Sequence, residues 1–220
     1  HDTIRGVPGA FKRAVKGIQS VAWLKDKRRT SYPEIHLYSV IVPLNYEEID
    51  RTFESLAALP VDSLNFLHFG FVSEAMADAH NMRFGKTLPI EPSSVSRLDP
   101  TEIDHLRLFD TIVRTKKLAE KNDLPVTFLP EMSKNQMETY YRDHLSFMKK
   151  DAACMTPWQI AQISPNGDII PMSRCFNIAM CNVKESAITE IWYGRKSRQF
   201  RRHLKANKAY PFCSRCCAIF

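Results

Sequence analysis

The sequence lacks long apolar runs. No stretch of its 220 residues approaches the roughly 20 consecutive apolar residues that cross a bilayer. The N-terminus is polar and basic and lacks the apolar core of a secretory signal. Hydrophobic residues make up 44% and charged residues 25%, which excludes a disordered tail, a collagen-like fibre and a small disulfide scaffold. The composition predicts a soluble globular protein of one large domain or two small ones.

Cysteine is missing before Cys154, and all six cysteines lie between Cys154 and Cys217. Without a secretory signal we expect a reducing, cytoplasmic location, where clustered cysteines bind metal more often than they form disulfides. The chain begins with His1 rather than methionine, so we expect it to be the later part of a longer protein. The cysteine cluster is the strongest functional signal in the sequence.

Residues 10 to about 150 alternate between helical and strand-like patterns. Strand-like runs rich in β-branched and aromatic residues cover 35–42, 64–72 and 126–129. Between these runs, apolar residues recur at helical spacing. Because strands joined by helices form parallel sheets, the pattern predicts an α/β fold, with residues 1–150 as the later part of a partial (β/α) barrel.

Capping and breaking residues predict the element boundaries in this region. The stretch from Ser73 to Leu98 is irregular and long for a connection, which predicts an inserted loop or lid. Asp99 followed by Pro100 and Glu102 has the form of a helix start, with Asp99 as the cap. A further helix is expected over residues 136–150.

After Asp151 the pattern changes to that of a small α+β module of about 70 residues. Asn166-Gly167, between two alternating apolar runs, predicts a β-hairpin. A module of this size has a small core, so a bound metal cluster would stabilise it. We therefore predict two domains, a barrel portion over 1–150 and a cysteine-rich α+β domain over 151–220.

Four cysteines of this module can converge on one site. Cys213 and Cys216 form a C-x-x-C knuckle, which binds a metal centre from one tight turn. Cys154 lies just before the predicted hairpin and Cys175 just after it, so the hairpin would bring these two together. Four thiolates suit either a structural zinc ion or a four-iron cluster, and the spacing alone does not decide between them.

Two cysteines remain outside this set. Cys181 lies only six positions after Cys175 and could replace it as a ligand. Cys217 is expected to behave as a small buried hydrophobe. A disulfide framework is not expected, because the sequence has no secretory signal.

Lysine and arginine number 31 against 24 aspartates and glutamates, a net charge of +7. Much of this excess lies in residues 195–208. One interpretation is a nucleic-acid surface, which with zinc on the four cysteines would make a zinc-stabilised nucleic-acid-binding module. We favour the solvated face of one amphipathic helix, because the apolar positions there recur at helical spacing.

Several motifs of the last third occur together and in order: Gly-Asp-Ile-Ile-Pro at 167–171, Cys175, Asn-Val-Lys-Glu-Ser at 182–186, Glu-Ile-Trp at 190–192, Arg201, and Cys213-x-x-Cys216. Together they resemble a SPASM-type domain, the auxiliary iron–sulfur extension at the C-terminus of many radical SAM enzymes. Residues 1–11 resemble the segment after the third strand of a radical SAM barrel. The family's C-x-x-x-C-x-x-C triplet is missing from this chain, and Cys181 stands where the domain usually has a glycine.

The resemblance implies that Cys154, Cys175, Cys213 and Cys216 hold an auxiliary [4Fe-4S] cluster. In the full-length protein it implies an oxidoreductase or maturase with S-adenosylmethionine (SAM) on a second [4Fe-4S] cluster. Reductive cleavage of SAM would give a 5′-deoxyadenosyl radical that abstracts hydrogen from the substrate. The implied partners are a peptide or protein substrate and an external electron donor; neither a membrane nor nucleic acid is expected. The chain alone, without the triplet, should not perform this reaction.

Two side chains of the barrel portion are candidates for a cofactor pocket, which in such barrels lies at the C-terminal ends of the strands. Asn45 follows the first predicted strand and is a candidate SAM contact, or alternatively a cap for the helix near Tyr46. His68 and Gly70 share one side of the second strand and could approach the pocket. A histidine in an apolar strand is more often a core residue, and no catalytic residue is assigned.

Overall fold

A computed structural model describes residues 1–93, 99–147, 151–171, 179–216 and 219 of the chain. The chain divides into two compact units: unit 1 is His1–Phe69 with Pro100–Met137, and unit 2 is Gly70–Asp99 with Glu138–Phe220. The predicted domain boundary at residue 150 stays a prediction. Within the described ranges, no helix is both long and apolar enough to cross a membrane.

The elements follow one another in a mixed α/β order. The helices are α1 (Asp2–Arg5), α2 (Ala10–Arg28), α3 (Ile49–Ala57), α4 (Glu74–Phe84), α5 (His105–Asn122), α6 (Lys134–Arg142), α7 (Thr156–Gln159), α8 (Ile188–Tyr193) and α9 (Arg195–Asn207). The strands are β1 (His36–Ile41), β2 (Ser63–His68), β3 (Val126–Leu129), β4 (Gln162–Ile163), β5 (Asp168–Ile170) and β6 (Cys181–Asn182). Short 3₁₀ turns lie at Tyr46–Glu48, Pro100–Glu102 and Pro211–Arg215.

Unit 1 is built on a parallel sheet in the order β1-β2-β3. The central strand β2 is almost continuously buried, as expected where a parallel sheet is covered on both faces. Phe66 of β2 stacks on Phe128 of β3 with ring centroids 5.1 Å apart. Thr127 donates to the buried side chain of Asn65 at 2.6 Å. The predicted α/β fold with a parallel sheet is confirmed.

The stretch predicted to be irregular contains a regular helix, α4. Ser73 caps it, because its hydroxyl accepts a hydrogen bond from the Met76 N–H at 3.3 Å. Within the same stretch, Val72 and Ser93 form an antiparallel bridge. The prediction of a loop was wrong for residues 74–84, since a serine cap without a strong apolar period gives little helical signal in the sequence.

The next helix starts later than predicted. Pro100–Glu102 forms only a 3₁₀ turn, and α5 begins at His105. Asp104, rather than Asp99, is its cap: one carboxylate oxygen accepts from the N–H groups of Leu106 and Arg107 at 2.9 and 3.2 Å. The helix predicted over 136–150 is also shorter, because α6 ends at Arg142.

Unit 2 contains a small antiparallel sheet in the order β4-β5-β6. The predicted hairpin is confirmed: Gln162 pairs with Ile170, and Gly167 turns the chain with a φ of +96°. Asn182 of β6 donates its side-chain amide to the backbone oxygen of Asn166 at 3.1 Å, which ties the third strand to the turn.

Substituting Gly167 with alanine is expected to lower the free energy of unfolding by about 1–3 kcal/mol. The positive φ is strained for an L residue, and an added Cβ would lie 2.8 Å from Oδ1 of Asn182. Urea denaturation measures the effect. Gly17→Ala in α2 is the control: a Cβ there meets no atom within 4 Å, and we expect a gain of about 0.5–1 kcal/mol. Equal losses in both variants would contradict the prediction.

Candidate metal centre

Three of the four predicted metal-binding cysteines come together in unit 2. Cys154 lies just before α7, Cys213 lies within the 3₁₀ turn Pro211–Arg215, and Cys216 follows that turn directly. The Cys213 thiol interacts electrostatically with those of Cys216 and Cys154. The fourth predicted ligand, Cys175, lies outside the described residues. The first predicted ligand, Cys154, therefore lies within electrostatic range of the last two, Cys213 and Cys216.

Backbone hydrogen bonds hold these cysteines in place. The N–H of Cys213 donates to the Tyr210 oxygen at 2.8 Å, and the N–H of Cys216 donates to the Cys213 oxygen at 2.9 Å. These bonds close the C-x-x-C segment into a tight turn. The N–H of Cys154 donates to the Lys208 oxygen at 3.0 Å, just after α9. The segment that follows α9 therefore bonds to Cys154 through Lys208 and leads directly into the turn that carries Cys213.

The Cys213 thiol is buried, which disfavours its ionised form. It is only 4% exposed, and this burial raises the pKa of the thiol well above its ordinary value. The thiols of Cys216 and Cys154 raise the pKa further, while the Tyr210 N–H, 3.5 Å from the sulfur, lowers it. Without a metal the thiolate is disfavoured, and iron or zinc bound to the sulfur would reverse this preference.

Aromatic side chains of α4 pack against the segment that carries the turn. His80 lies edge-on to Phe212, with ring centroids 4.9 Å apart, and Phe84 lies edge-on to Tyr210 at 5.1 Å. The rings of Tyr210 and Phe212 are themselves stacked at 5.9 Å. These rings therefore pack behind the turn in which Cys213 is buried.

The two residues between the C-x-x-C cysteines are also buried, which sequence reasoning missed. Ser214 is 0% and Arg215 1% exposed. Ser214 donates its hydroxyl to the His144 oxygen at 2.6 Å. Burial lowers the pKa of Arg215 to about 10, so its guanidinium remains charged at neutral pH. The sequence did show that Arg215 lies between two predicted metal ligands. It could not show that the side chain is buried, because the residues that bury it lie far away in the sequence.

The arrangement of the thiols bears on which metal group they fit. Within the described ranges, no three histidine, cysteine, aspartate or glutamate side chains are grouped to hold a single metal ion. A four-iron cluster binds each thiolate to a different iron atom, so its ligands stand farther apart. The four predicted ligands are all cysteines, and soft thiolate donors suit an iron–sulfur cluster.

Among the described cysteines, Cys181 is not one of the thiols that act on Cys213. Cys181 lies in β6, opposite Ile169 of β5, and its thiol is 4.0 Å from the Glu185 carboxylate. Cys217 lies outside the described residues. No disulfide joins any two of the four described cysteines. The possible exchange of Cys181 for Cys175 stays a prediction.

The basic segment 195–208 is mostly a helix with one solvated face. α9 buries Ser197, Phe200 and Leu204, which confirms the favoured amphipathic interpretation. Arg201 turns inward: it donates to the backbone oxygens of Pro157 and Trp192, both at 2.8 Å, and its guanidinium lies 4.3 Å from the Trp192 ring centroid. The exposed cations are Arg195, Lys196, Arg198, Arg202, Lys205 and Lys208.

Asn45 in unit 1 closes the C-terminal end of β1. Its side-chain oxygen accepts from the Val42 N–H at 2.8 Å, and its amide donates to the Val40 oxygen at 2.9 Å. Asn45 occupies the N-cap position of the following 3₁₀ turn Tyr46–Glu48, as the alternative predicted, but its side chain makes no capping hydrogen bond there. A contact between Asn45 and SAM stays a prediction.

His68 ends β2, where it pairs with Ile41 of β1. Its side chain is buried, and this burial lowers the pKa of the imidazole to about 3. The ring is therefore neutral at physiological pH, which favours the core interpretation of this histidine.

Three cysteine thiols of unit 2, those of Cys154, Cys213 and Cys216, thus interact with one another. Residues 154–217 match the family model of SPASM, an iron–sulfur cluster-binding domain. The match begins at Cys154 and ends at Cys217, so it includes all six cysteines. The predicted SPASM-type region is therefore confirmed.

Two solved structures are similar to the chain. The crystal structure of SuiB from Streptococcus suis is 13% identical, with a TM-score of 0.45, over 83% of this chain and 40% of that chain. The crystal structure of selenomethionine BtrN in an open conformation is 16% identical, with a TM-score of 0.25, over 78% of this chain and 65% of that chain. The chain thus spans less than two thirds of either protein. No curated protein matches it.

Proposed function

We propose that this chain is part of an iron–sulfur oxidoreductase or maturase of the radical SAM type. Cys154, Cys175, Cys213 and Cys216 would hold an auxiliary [4Fe-4S] cluster. One observation carries the proposal: the segment that matches the cluster-binding family contains the interacting thiols of Cys154, Cys213 and Cys216. If all four cysteines bind, the cluster has no open position, which favours electron relay or structural support over direct binding of substrate.

The parallel sheet of unit 1 would be the later part of the partial barrel that holds the substrate and SAM. In barrels of this kind the cofactor lies at the C-terminal ends of the strands, where Asn45 follows β1. SAM, on a second [4Fe-4S] cluster in the full-length protein, would supply the 5′-deoxyadenosyl radical. The family resemblance supports a peptide or protein substrate and an external electron donor.

Each part of the described site has a role in this proposal. The tight turn at Cys213 would present two thiols from one segment, and Cys154, which donates its N–H to the Lys208 oxygen, would supply a third. The aromatic rings of α4 pack behind the turn. These residues bind and shield the cluster, whereas the substrate would be held by unit 1.

Anaerobic reconstitution of the chain with ferrous iron and sulfide tests the proposal. We expect a brown protein with about four iron atoms and about four labile sulfides per chain, and an absorbance band in the visible range. A colourless protein that retains one zinc ion and no labile sulfide would contradict it. Strongly salt-dependent DNA or RNA binding by that zinc form would support the nucleic-acid alternative instead.

A further inference from the structure

The exposed side of α9 carries four cations in one line: Arg195, Arg198, Arg202 and Lys205. Neighbours in this set are three or four residues apart, so all four fall within about 80° of one another around the helix axis. At a rise of about 1.5 Å per residue, the line is about 15 Å long. We call these four residues the cationic row.

No acidic side chain balances the cationic row. α9 contains no aspartate or glutamate, and within the described ranges none of the four side chains forms a salt bridge. Like charges three or four residues apart on a helix repel one another, and cations in the first turn oppose the helix dipole. The row therefore destabilises α9, and an anionic partner placed along it would relieve the repulsion.

The other side of α9 fixes the helix to unit 2. Phe200 and Leu204 are buried, and the Ser197 hydroxyl donates to the Ile191 oxygen at 2.7 Å. Arg201 donates to two backbone oxygens outside the helix, so this cation already has partners. A helix fixed in this way presents the row in one orientation, which reduces the entropy that is lost when a partner binds.

The surface beside the row distinguishes between two kinds of polyanion. On this side of α9 the exposed residues beside the cations are Gln199 and Ala206, and neither is aromatic. Sites for single-stranded nucleic acid combine cations with aromatic side chains on which the bases stack. A second helix with carboxylates at the same intervals has the same rise per residue as α9, so it can bring one carboxylate to each cation. The row therefore fits an acidic helix better than a nucleic-acid strand.

We propose that the cationic row is a docking surface for an acidic helical segment of a polypeptide partner. Opposite charges across the interface would steer the partner to the row and set its register. The complex is transient, because exposed ion pairs each contribute little to affinity and are screened by salt. This inference goes beyond the proposed function and does not depend on the cysteines or on the metal that they hold.

Fluorescence anisotropy with the full chain at low salt tests the proposal. The probe is a labelled synthetic helical peptide whose four glutamates have the intervals of the row. Its control has the same composition, with the glutamates distributed around the helix. We expect the first peptide to bind at least about fivefold more tightly than the second, and to lose affinity as salt is added. Equal affinities, or no binding of either peptide, would overturn the proposal.

Variants of α9 test the row itself. Arg198→Gln and Arg202→Gln should each weaken binding of the matched peptide about threefold. Lys196→Gln is the matched control, because Lys196 is exposed on the same helix but lies about 100° from Arg195 around the axis. This control should change the affinity by less than about 1.5-fold. If Lys196→Gln weakens binding as much as the row variants do, only net charge matters and the proposal is wrong.

A single-stranded RNA of equal negative charge separates the two kinds of partner. We expect the wild-type chain to bind this RNA more weakly than the matched peptide, since no aromatic side chain lies beside the row. Tighter binding of the RNA than of the peptide would overturn the proposal in favour of a nucleic-acid surface. Glutamine is a good helix former, so the variants should keep the circular dichroism of the wild type. The peptide and RNA comparisons use the wild type alone, so they decide the proposal even if a variant loses structure.

Discussion

Replacing Cys213 with alanine is expected to lower the iron bound after anaerobic reconstitution at least tenfold. Cys213 is the most deeply buried of the four described cysteines, and the tight turn aligns it with Cys216. No other described thiol occupies this position in the turn, so the cluster would lose a ligand that nothing nearby replaces. Iron and sulfide analysis, together with the visible absorbance of the reconstituted chain, measures the loss.

Cys181→Ala is the matched control for this experiment. Cys181 belongs to the same unit, but it lies in β6 with its thiol near Glu185. We expect this variant to retain wild-type amounts of iron and sulfide. If Cys181→Ala loses as much iron as Cys213→Ala does, Cys181 rather than Cys175 is the ligand from this part of the chain. If Cys213→Ala binds iron normally, the proposed ligand set is wrong.

Acid is expected to destabilise the chain through His68. Its pKa is about 3 in the folded state and near 6.5 when unfolded. The unfolded chain therefore binds the proton first as the pH falls below about 6.5. The stabilisation from keeping this ring neutral is complete above that pH and is lost progressively down to about pH 3. At 1.36 kcal/mol per pH unit, the loss reaches about 2 kcal/mol by pH 5.

Urea denaturation at pH 7 and pH 5 measures this effect. His68→Leu removes the titrating ring and should lose about 2 kcal/mol less than the wild type between the two pH values. Burial also lowers the pKa of His80 and His144, so some acid sensitivity should remain. Phe66→Leu perturbs the same strand without a titrating group and should keep the wild-type pH dependence. Equal losses in His68→Leu and the wild type would contradict the role of His68.

Structural elements that depend on residues close together in the sequence were predictable from the sequence. The alternation of apolar residues predicted the three parallel strands, and Asn166-Gly167 predicted the hairpin. The helical stripe predicted the amphipathic character of α9. The spacing of Cys213 and Cys216 predicted their shared turn, because four consecutive residues suffice to form it. In each case the interactions that decide the structure lie within a short window.

Predictions were wrong where two residues were equally suitable for one structural role, or where the residues that stabilise an element are distant in the sequence. Asp99 and Asp104 are both possible caps for α5, and only the hydrogen bonds to Leu106 and Arg107 distinguish them. α4 was missed because its buried residues are recognised by what they contact, including Tyr210 and Phe212 far along the chain. Local propensity cannot supply such contacts.

The sequence by itself was enough to predict a metal site on four cysteines of one small module, since ligand type and spacing are local properties. Only the tertiary structure decided what surrounds that site. Arg215 would ordinarily be exposed, but its five N–H groups donate to backbone oxygens, and Tyr140, which accepts from Nε, lies 75 residues earlier. Burying a guanidinium is tolerated only where all its donors find acceptors. That condition is met because the fold of unit 2 brings the end of α6 to the cysteine turn.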